Sequence, residues 1–473
     1  MIRRKGAGSV MMVAGAILIA IWMGDLAAQQ TAVAPSIRIK KTVRACRGFD
    51  DTVTIHPDRF LPGTGARGDR TPVIYDIEKD SVIEIPDLDG LPGLPTAPGV
   101  PPASVDRHAA SAMKLRGDYW RWRGRKLVLY SPERNIAGIV YTRVDEKKTI
   151  PGSPPCGTCG GATELIEKYH RYYCRSCKAY VPEKKYISEV YSYIFAAYDL
   201  KAGRIAWTAP LEMDASNPFE QNGIGPIGVD PSGRFFYYTN MIHFYRHNRS
   251  SGNILLYRFN INDRKVDRRH RIEVPVRFRE GSAGSYSIHV VPSMDMKRIL
   301  FWEYDEASES GGGHLKNPAA RGYVVEPDSG SHVIVPVPVT PYGSVFDFEG
   351  RYLVLGSNQT GTLHRYDLAG KKEDLKVPSK RGIFRLIISG DSRFLFVFHK
   401  KGVEVLTWPA MARVKSLPMS SILPGVTELL VSVPMYVTAR GRYAAICVLQ
   451  KQPSGPWWAC DRNGGFHLLQ IGD

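Results

Sequence analysis

A turn followed by an apolar strand recurs six times in this 473-residue chain, and that recurrence limits the fold more than any other feature. The copies are Ser131-Pro-Glu-Arg-Asn-Ile-Ala-Gly-Ile-Val-Tyr, Asp230-Pro-Ser-Gly-Arg-Phe-Phe-Tyr-Tyr, Met294-Asp-Met-Lys-Arg-Ile-Leu-Phe-Trp, Phe348-Glu-Gly-Arg-Tyr-Leu-Val-Leu, Gly390-Asp-Ser-Arg-Phe-Leu-Phe-Val-Phe and Ala439-Arg-Gly-Arg-Tyr-Ala-Ala-Ile. A further run follows in each unit and often ends in an acidic or turn residue: Val73–Asp76, Ile194–Asp199, Ile254–Asn260, Tyr323–Pro327, Leu363–Asp367, Val403–Trp408 and Trp457–Asp461. A short fourth run closes it, at Val82–Pro86, Ile205–Pro210, Ile272–Pro275, Val333–Pro336, Leu375–Pro378, Val414–Pro418 and Phe466–Ile471. Counting third and fourth runs gives seven units.

Short apolar runs punctuated by Gly, Pro and Asp, with almost no helical periodicity beyond residue 35, predict an all-β chain. Arginines mark the second strands at 234, 298, 351, 393 and 442, in steps of 64, 53, 42 and 49 residues. Four antiparallel strands recurring at about 40–50 residues are the pattern of propeller blades. No blade buries both faces alone, so a ring must close. The expectation is a seven-bladed β-propeller over 36–473; the alternative is two stacked β-sandwich domains. The third unit, Gly228-Val-Asp-Pro-Ser-Gly-Arg-Phe-Phe-Tyr-Tyr-Thr-Asn240 with Ile254-Leu-Leu-Tyr-Arg-Phe-Asn260, resembles the YVTN-type propellers related to lactonases and surface-layer repeats. The other units match only in pattern, and no catalytic residue is carried across.

The first unit, about 36–87, is the least regular. Prolines at 92, 95, 98, 101 and 102 fall in Leu88–Pro102, within a connection spanning 88–111. No packed element tolerates that density, so an extended blade-to-blade connection is expected.

The second unit carries Cys156-Gly-Thr-Cys159 and, 14 residues later, Cys174-Arg-Ser-Cys177. Two such knuckles suit tetrahedral metal coordination, and Gly160 and Gly161 permit the tight first turn. The stretch, about 150–187, resembles the zinc ribbons of many nucleic-acid- and protein-binding modules. One zinc held by Cys156, Cys159, Cys174 and Cys177 is expected, with two disulfides as the alternative in an oxidising compartment. Four protein ligands leave no open position, so such a zinc is structural. The insertion lies between Ile136–Asp145 and Val190–Asp199, a second and a third strand. It therefore shares a face with Leu88–Pro102 and with two long loops, Asn240–Gly252 and Asp305–Ala320.

Arg3, Arg4 and Lys5 precede 19 uncharged residues, Gly6 to Gly24, and Leu26-Ala27-Ala28 follows. That is the layout of a secretory signal over 1–28, or of a membrane anchor through residues 10–24 if it is not cleaved. An extracytoplasmic location, periplasmic or secreted, follows from either. Cys447 and Cys460 flank Gln452-Pro453-Ser454-Gly455. A two-residue loop sets them opposite each other as a disulfide pair, whereas a three-residue loop slips the register by one.

The net charge is +17. Without the first 28 residues it is +15, and residues 112–190 (16 cations, 8 acids) with 241–280 (10 and 4) hold nearly all of it. Arg171, Arg175, Lys178, Lys184 and Lys185, interleaved with Tyr169, Tyr172, Tyr173, Tyr180 and Tyr186, are candidate polyanion contacts.

Other constellations favour bland readings. His243 and His247 sit among turn formers, His289 on an inner strand lacks a nucleophile beside it, and Glu303, Asp305, Glu306 and Glu309 do not have calcium-loop spacing. No G-x-S-x-G, Walker loop or dinucleotide fingerprint occurs. The reading is therefore a non-enzymatic exported scaffold that binds a protein or a polyanionic envelope component, with nucleic acid as the weaker partner class. The alternative is a lactonase-like enzyme with its site at the channel mouth.

Overall fold

The computed structural model describes residues 36–44, 46–48, 54–55, 59–65, 72–84, 122–149, 156, 158–166, 171–181, 187–212, 222–242, 252–274, 286–305, 320–337, 341–357, 360–429, 435–438, 440–451, 458–461 and 465–472. They are almost all strand, in antiparallel four-stranded sheets of the propeller kind. β1 (Ile37–Val43) pairs with the end of the chain. The first sheet comprises β2 (Cys46–Gly48), β4 (Phe60–Gly65), β5 (Pro72–Asp76) and β6 (Ser81–Glu84), while β3 (Thr54–Ile55) leaves it to run parallel to β7 (Trp122–Ser131). With β8 (Ile136–Thr149), β12 (Ile187–Asp199) and β13 (Arg204–Leu211), these two make a five-stranded second sheet. Between β8 and β12 in sequence stands a small separate sheet, β9 (Thr163–Ile166), β10 (Arg171–Cys174) and β11 (Ala179–Val181).

The third sheet is β14 (Asn222–Val229), β15 (Phe235–Ile242), β16 (Gly252–Asn260) and β17 (Lys265–Val274). The fourth is β18 (Tyr286–Pro292), β19 (Ile299–Asp305), β20 (Ala320–Val325) and β21 (His332–Val337). The fifth is β22 (Pro341–Phe346), β23 (Tyr352–Ser357), β24 (Thr362–Asp367) and β25 (Lys372–Pro378). The sixth, β26 (Ile383–Ile388), β27 (Phe394–His399), β28 (Gly402–Thr407) and β29 (Arg413–Pro418), runs into a helical turn at Met419–Ile422. The last has β30 (Met435–Val437), β31 (Tyr443–Cys447) and then β34 (Phe466–Ile471), with β1 as its outer strand. β32 (Leu449–Lys451) and β33 (Trp458–Cys460) form a hairpin of their own.

Alternate residues of one strand enter two different apolar clusters. Ile299 and Phe301 of β19 pack against the third sheet, whereas Leu300 and Trp302 pack against the fifth. In β27, Phe394, Phe396 and Phe398 face the last sheet while Leu395 and Val397 face the fifth. Both faces are buried, which is why these strands read as unbroken apolar runs and not as alternating ones. Each such side chain contributes about 1.5–3 kcal/mol by leaving water. Clusters of this kind join every pair of successive sheets, from first-to-second (Phe60, Ile74, Ile139) to sixth-to-last (Phe396, Ile446). A further one joins the last sheet to the first through Phe466, Leu468, Leu61 and Tyr75.

The repeated turn has one construction. A side-chain oxygen of Asp230, Ser293, Asp347, Ser389 or Thr438 accepts the N–H five residues on, at 2.6–3.1 Å. The residue three positions on is left-handed in every case: Gly233, Met296, Gly350, Ser392 or Gly441. The third strands end at Asp76, Asp199, Asn260 and Asp367 because each side chain caps N–H groups two and three residues later.

Three sequence expectations change. Residues 36–43 belong to the last sheet and not to the first unit, since β1 pairs Ile37↔Ile471 through Val43↔Phe466. Phe466–Ile471 is accordingly the third strand of the last sheet, and the third run expected at Trp457–Asp461 is displaced into the β32–β33 hairpin. In that hairpin Cys460 lies opposite Leu449, not Cys447. The two-residue register fails because β32 and β33 pair from Leu449↔Cys460 to Lys451↔Trp458, and the Val448 carbonyl accepts Asp461 N–H at 2.7 Å. Cys447 is disulfide-bonded. Cys156, Cys159, Cys174 and Cys177 are free, which leaves Cys46 or Cys460 as its partner.

Candidate metal centre

β8 and β12 stay paired from Ile136↔Asp199 to Thr149↔Ile187. Their outer neighbours stop earlier, β7 at Arg143 and β13 at Tyr193. Beyond that point Val144–Thr149 and Ile187–Tyr191 continue as a two-stranded arm, about 20 Å long at ~3.4 Å per residue. The strands are longer than the expected Ile136–Asp145 and Val190–Asp199, and the small sheet β9–β10–β11 follows the arm's end in sequence.

Among the described residues that sheet has almost no core. The cluster inside it is Cys156 and Cys174, buried, with Tyr172 and Cys177 against them. The first knuckle is closed by Cys156 N–H to Gly161 O (2.7 Å) and Gly160 N–H to Cys156 O (2.8 Å), with Gly160 at φ +72°. At the matching position of the second knuckle Lys178 takes φ +50°, a conformation that costs an L side chain about 1 kcal/mol. The pairing Thr163↔Cys174 and Cys174↔Ala179 ties that knuckle to both neighbours.

The four sulfurs all lie within 4.8 Å of one another, with Cys156–Cys177 at 3.7 Å and Cys159–Cys174 at 3.5 Å. A tetrahedron with metal–sulfur bonds of ~2.3 Å has edges of about 3.8 Å, so the set fits a metal ion. Backbone N–H groups of Thr158 and Cys177 point at the Cys156 and Cys174 sulfurs, both at 3.4 Å, as thiolate ligands require. Burial opposes ionisation of Cys156, yet N–H groups of Thr158 and Cys159 and the adjacent thiols bring it down to about 6. Cys177, against the Cys159 sulfur and partly desolvated, is pushed up to about 12. Crowding thus makes one thiolate cheap and the next costly, a penalty that a dication removes.

On the opposite face of this sheet Tyr173 and Tyr180 pack edge to face at 5.1 Å, and Tyr180 is 45% exposed. Of the polyanion candidates, Arg175 is held in a fork by Glu164 (2.9 and 2.7 Å), and its charge keeps that carboxyl below the usual range. Lys178 is exposed, Arg171 is described by its backbone in β10, and Lys184 and Lys185 lie outside the described residues. So do His243, His247, Glu306, Glu309, residues 85–121 and the amino-terminal 35 residues. His289 lies on β18, which among the described strands pairs with β19 at the edge of the fourth sheet, and Glu303 and Asp305 end β19.

One cluster was missed by sequence reasoning. Glu404, 1% exposed, accepts Ser379 Oγ–H (2.5 Å) and lies 3.0 Å from His399 Nε2, with Arg413 at 2.7 Å from its other oxygen. Serine, histidine and carboxylate meet here, but Ser379 and His399 Nε2 share one carboxylate oxygen. A nucleophile relay needs the carboxylate on the other ring nitrogen, and among the described residues His399 Nδ1 has no hydrogen-bond partner. The cluster pins the Ser379–Lys380 connection to the sixth sheet. Its signal in the sequence is an acid inside the apolar run Gly402-Val-Glu-Val-Leu406.

No family model matches this chain, and no curated protein does. Among solved structures it is similar to a chain of the "Crystal Structure of Mitotic Checkpoint Complex", with a TM-score of 0.47, 8% identity and 94% of each chain covered. It is also similar to a chain of Kuenenia stuttgartiensis hydrazine synthase, with a TM-score of 0.37, 14% identity, and 74% of this chain and 81% of that one covered.

No helix among the described residues is long and apolar enough to cross a membrane.

Proposed function

We propose that this chain is an exported seven-bladed propeller that presents a structural zinc ribbon to an anionic macromolecule at the cell envelope. The observation that carries the reading is the four-sulfur cluster of tetrahedral size following a two-stranded arm. With so little apolar core in the small sheet, the metal would supply most of its folding free energy. Cys156, Cys159, Cys174 and Cys177 hold one zinc, and the metal does no chemistry on a substrate. The seven inter-sheet clusters, the last of them joining the final sheet to the first, support a closed ring of seven blades. Export is favoured by the apolar stretch after Arg3–Lys5 and by the disulfide at Cys447.

The ring pair Tyr173–Tyr180, with Tyr180 exposed, and the exposed Lys178 of the second knuckle offer contact area and charge to a polyanion. Because Glu164 already compensates Arg175, most of the affinity falls to Arg171, Lys178, Lys184 and Lys185. Two measurements test the reading. Elemental analysis of protein prepared without chelator should give one zinc per chain; none, with two disulfides among the four cysteines by mass spectrometry, refutes the metal site. Elution from heparin should move to lower salt when the five cations are neutralised together at unchanged zinc content. An unmoved elution position refutes the polyanion assignment.

A further inference from the structure

In an antiparallel sheet successive hairpins alternate ends, so the first-to-second and third-to-fourth turns lie on one face of the ring and the second-to-third loops on the other. The arm and its cysteine sheet extend the second-to-third hairpin of the second sheet. The described chain begins on the opposite face. Ser36 accepts the N–H of Gly472 (3.2 Å), and Ile471 donates to Arg442 O (2.8 Å) in the first-to-second turn of the last sheet. From Gly24, where the apolar run ends, to Ser36 is 12 residues, which span at most about 40 Å.

The same turn face carries exposed cations at repeated positions. Arg134, Arg234, Lys297, Arg351, Arg440 and Arg442 come from the first-to-second turns of five sheets. Arg234 and Arg351 lie over the rings of Phe235 and Tyr352, at 4.9 and 4.8 Å. Among the acids of these turns Asp230, Asp295, Asp347 and Asp391 accept backbone N–H groups of their own turn, Asp295 also pairs with Lys297 at 3.6 Å, and Glu133 and Glu349 are exposed beside the cations. Two neighbouring turns are tied directly, since Arg134 of the second sheet donates to Gly233 O of the third.

We infer that this turn face docks on the anionic headgroups of a lipid bilayer, and that the cysteine sheet is thereby held out on the side away from the membrane. The inference rests on residues 10–24 acting as an uncleaved anchor. The short tether brings this face within reach of the surface, and the repeated cations give it a preferred orientation there.

The full chain is reconstituted into phosphatidylcholine vesicles with or without phosphatidylglycerol and an acceptor dye in the headgroups. A fluorescent non-natural residue replaces Glu349 on the turn face or Lys401 on the loop face, both exposed. Energy transfer from position 349 should exceed that from 401, and the contrast should grow with phosphatidylglycerol. Each cation near an anionic surface is worth about fivefold in docking, so changing Arg234, Arg351, Arg440 and Arg442 to Gln lowers docking by several hundredfold, on the order of 10²–10³. The contrast should then vanish, as it should for the unaltered protein at high salt. Equal or reversed transfer in a chain that floats with vesicles overturns the orientation alone. A chain that does not float overturns the anchor reading, and this inference with it.

Discussion

Replacing Glu404 by Gln tests whether the sixth sheet is held by a buried charge. Burial alone would raise the carboxyl, but hydrogen bonds from His399 and Ser379, with the Arg413 guanidinium, outweigh it and hold it at about 2, against an ordinary 4.5. A group depressed on folding adds stability above its unfolded value, and that stability is lost as pH falls through the folded value. The window here runs from about pH 4.5 down to about pH 2. That lowering corresponds to about 3–4 kcal/mol at neutral pH, since each pH unit is worth ~1.4 kcal/mol.

In Glu404→Gln the amide oxygen still accepts from Ser379, but the charge facing Arg413 is gone and the NH2 group displaces an acceptor. Stability at pH 7 should fall by about 3–4 kcal/mol, within the range for breaking a buried charged pair from one side. Between pH 5 and pH 2 the variant should lose about 3 kcal/mol less than the unaltered protein. Urea unfolding followed by fluorescence at several pH values measures both quantities. Parallel pH profiles for the two proteins would refute the reasoning, whatever the loss at pH 7, because the carboxylate would then contribute equally in both states.

Three further outcomes follow from the same geometry. Replacing Thr149–Ile187 by a short Gly-Ser turn should leave the unfolding midpoint of the remainder within about 1 kcal/mol, because those residues pair with each other; loss of all cooperative unfolding would show that the cysteine sheet is part of a core. Lys178→Gly should stabilise the second knuckle by roughly 0.5–1 kcal/mol, read as slower amide exchange at Cys174–Ala179; faster exchange would mean that the lysine side chain holds the turn. Protein isolated without reductant should show no free thiol at Cys447, and peptide mapping should join it to Cys460; a link to Cys46 would instead stitch the last sheet to the first, and a free thiol would contradict both.

What was legible in the sequence was local chemistry repeated. The turn at Asp230–Phe235 and its four counterparts closes on a short side-chain oxygen and a left-handed residue, so Asp, Ser or Thr stands at the first place and Gly at the fourth in three of the five. The cysteine spacing was legible for the same reason, each knuckle being a local turn. The arm was not: Thr142-Arg-Val-Asp-Glu-Lys-Lys-Thr149 is polar, and among the described residues no third strand pairs with it past Arg143, so it lacks the apolar run by which a blade strand is read. Glu404 was hidden because its partners, Ser379 and Arg413, belong to other elements.

The deepest miss was β1, and its cause is the ring itself. Ile37-Arg-Ile-Lys-Lys-Thr-Val43 reads as an edge strand, and nothing nearby names β34 as its neighbour, more than 400 residues away. Every other outer strand follows its partner within one turn, so its pairing costs little loop entropy. Among the described strands β1 alone pairs across nearly the whole chain. Ile37 then packs in the cluster between the sixth and last sheets, and Val43 in the cluster between the last and first. One strand thus contributes to two interfaces on either side of the closure. Its removal should loosen the junction where the last sheet meets the first before any other part of the ring gives way.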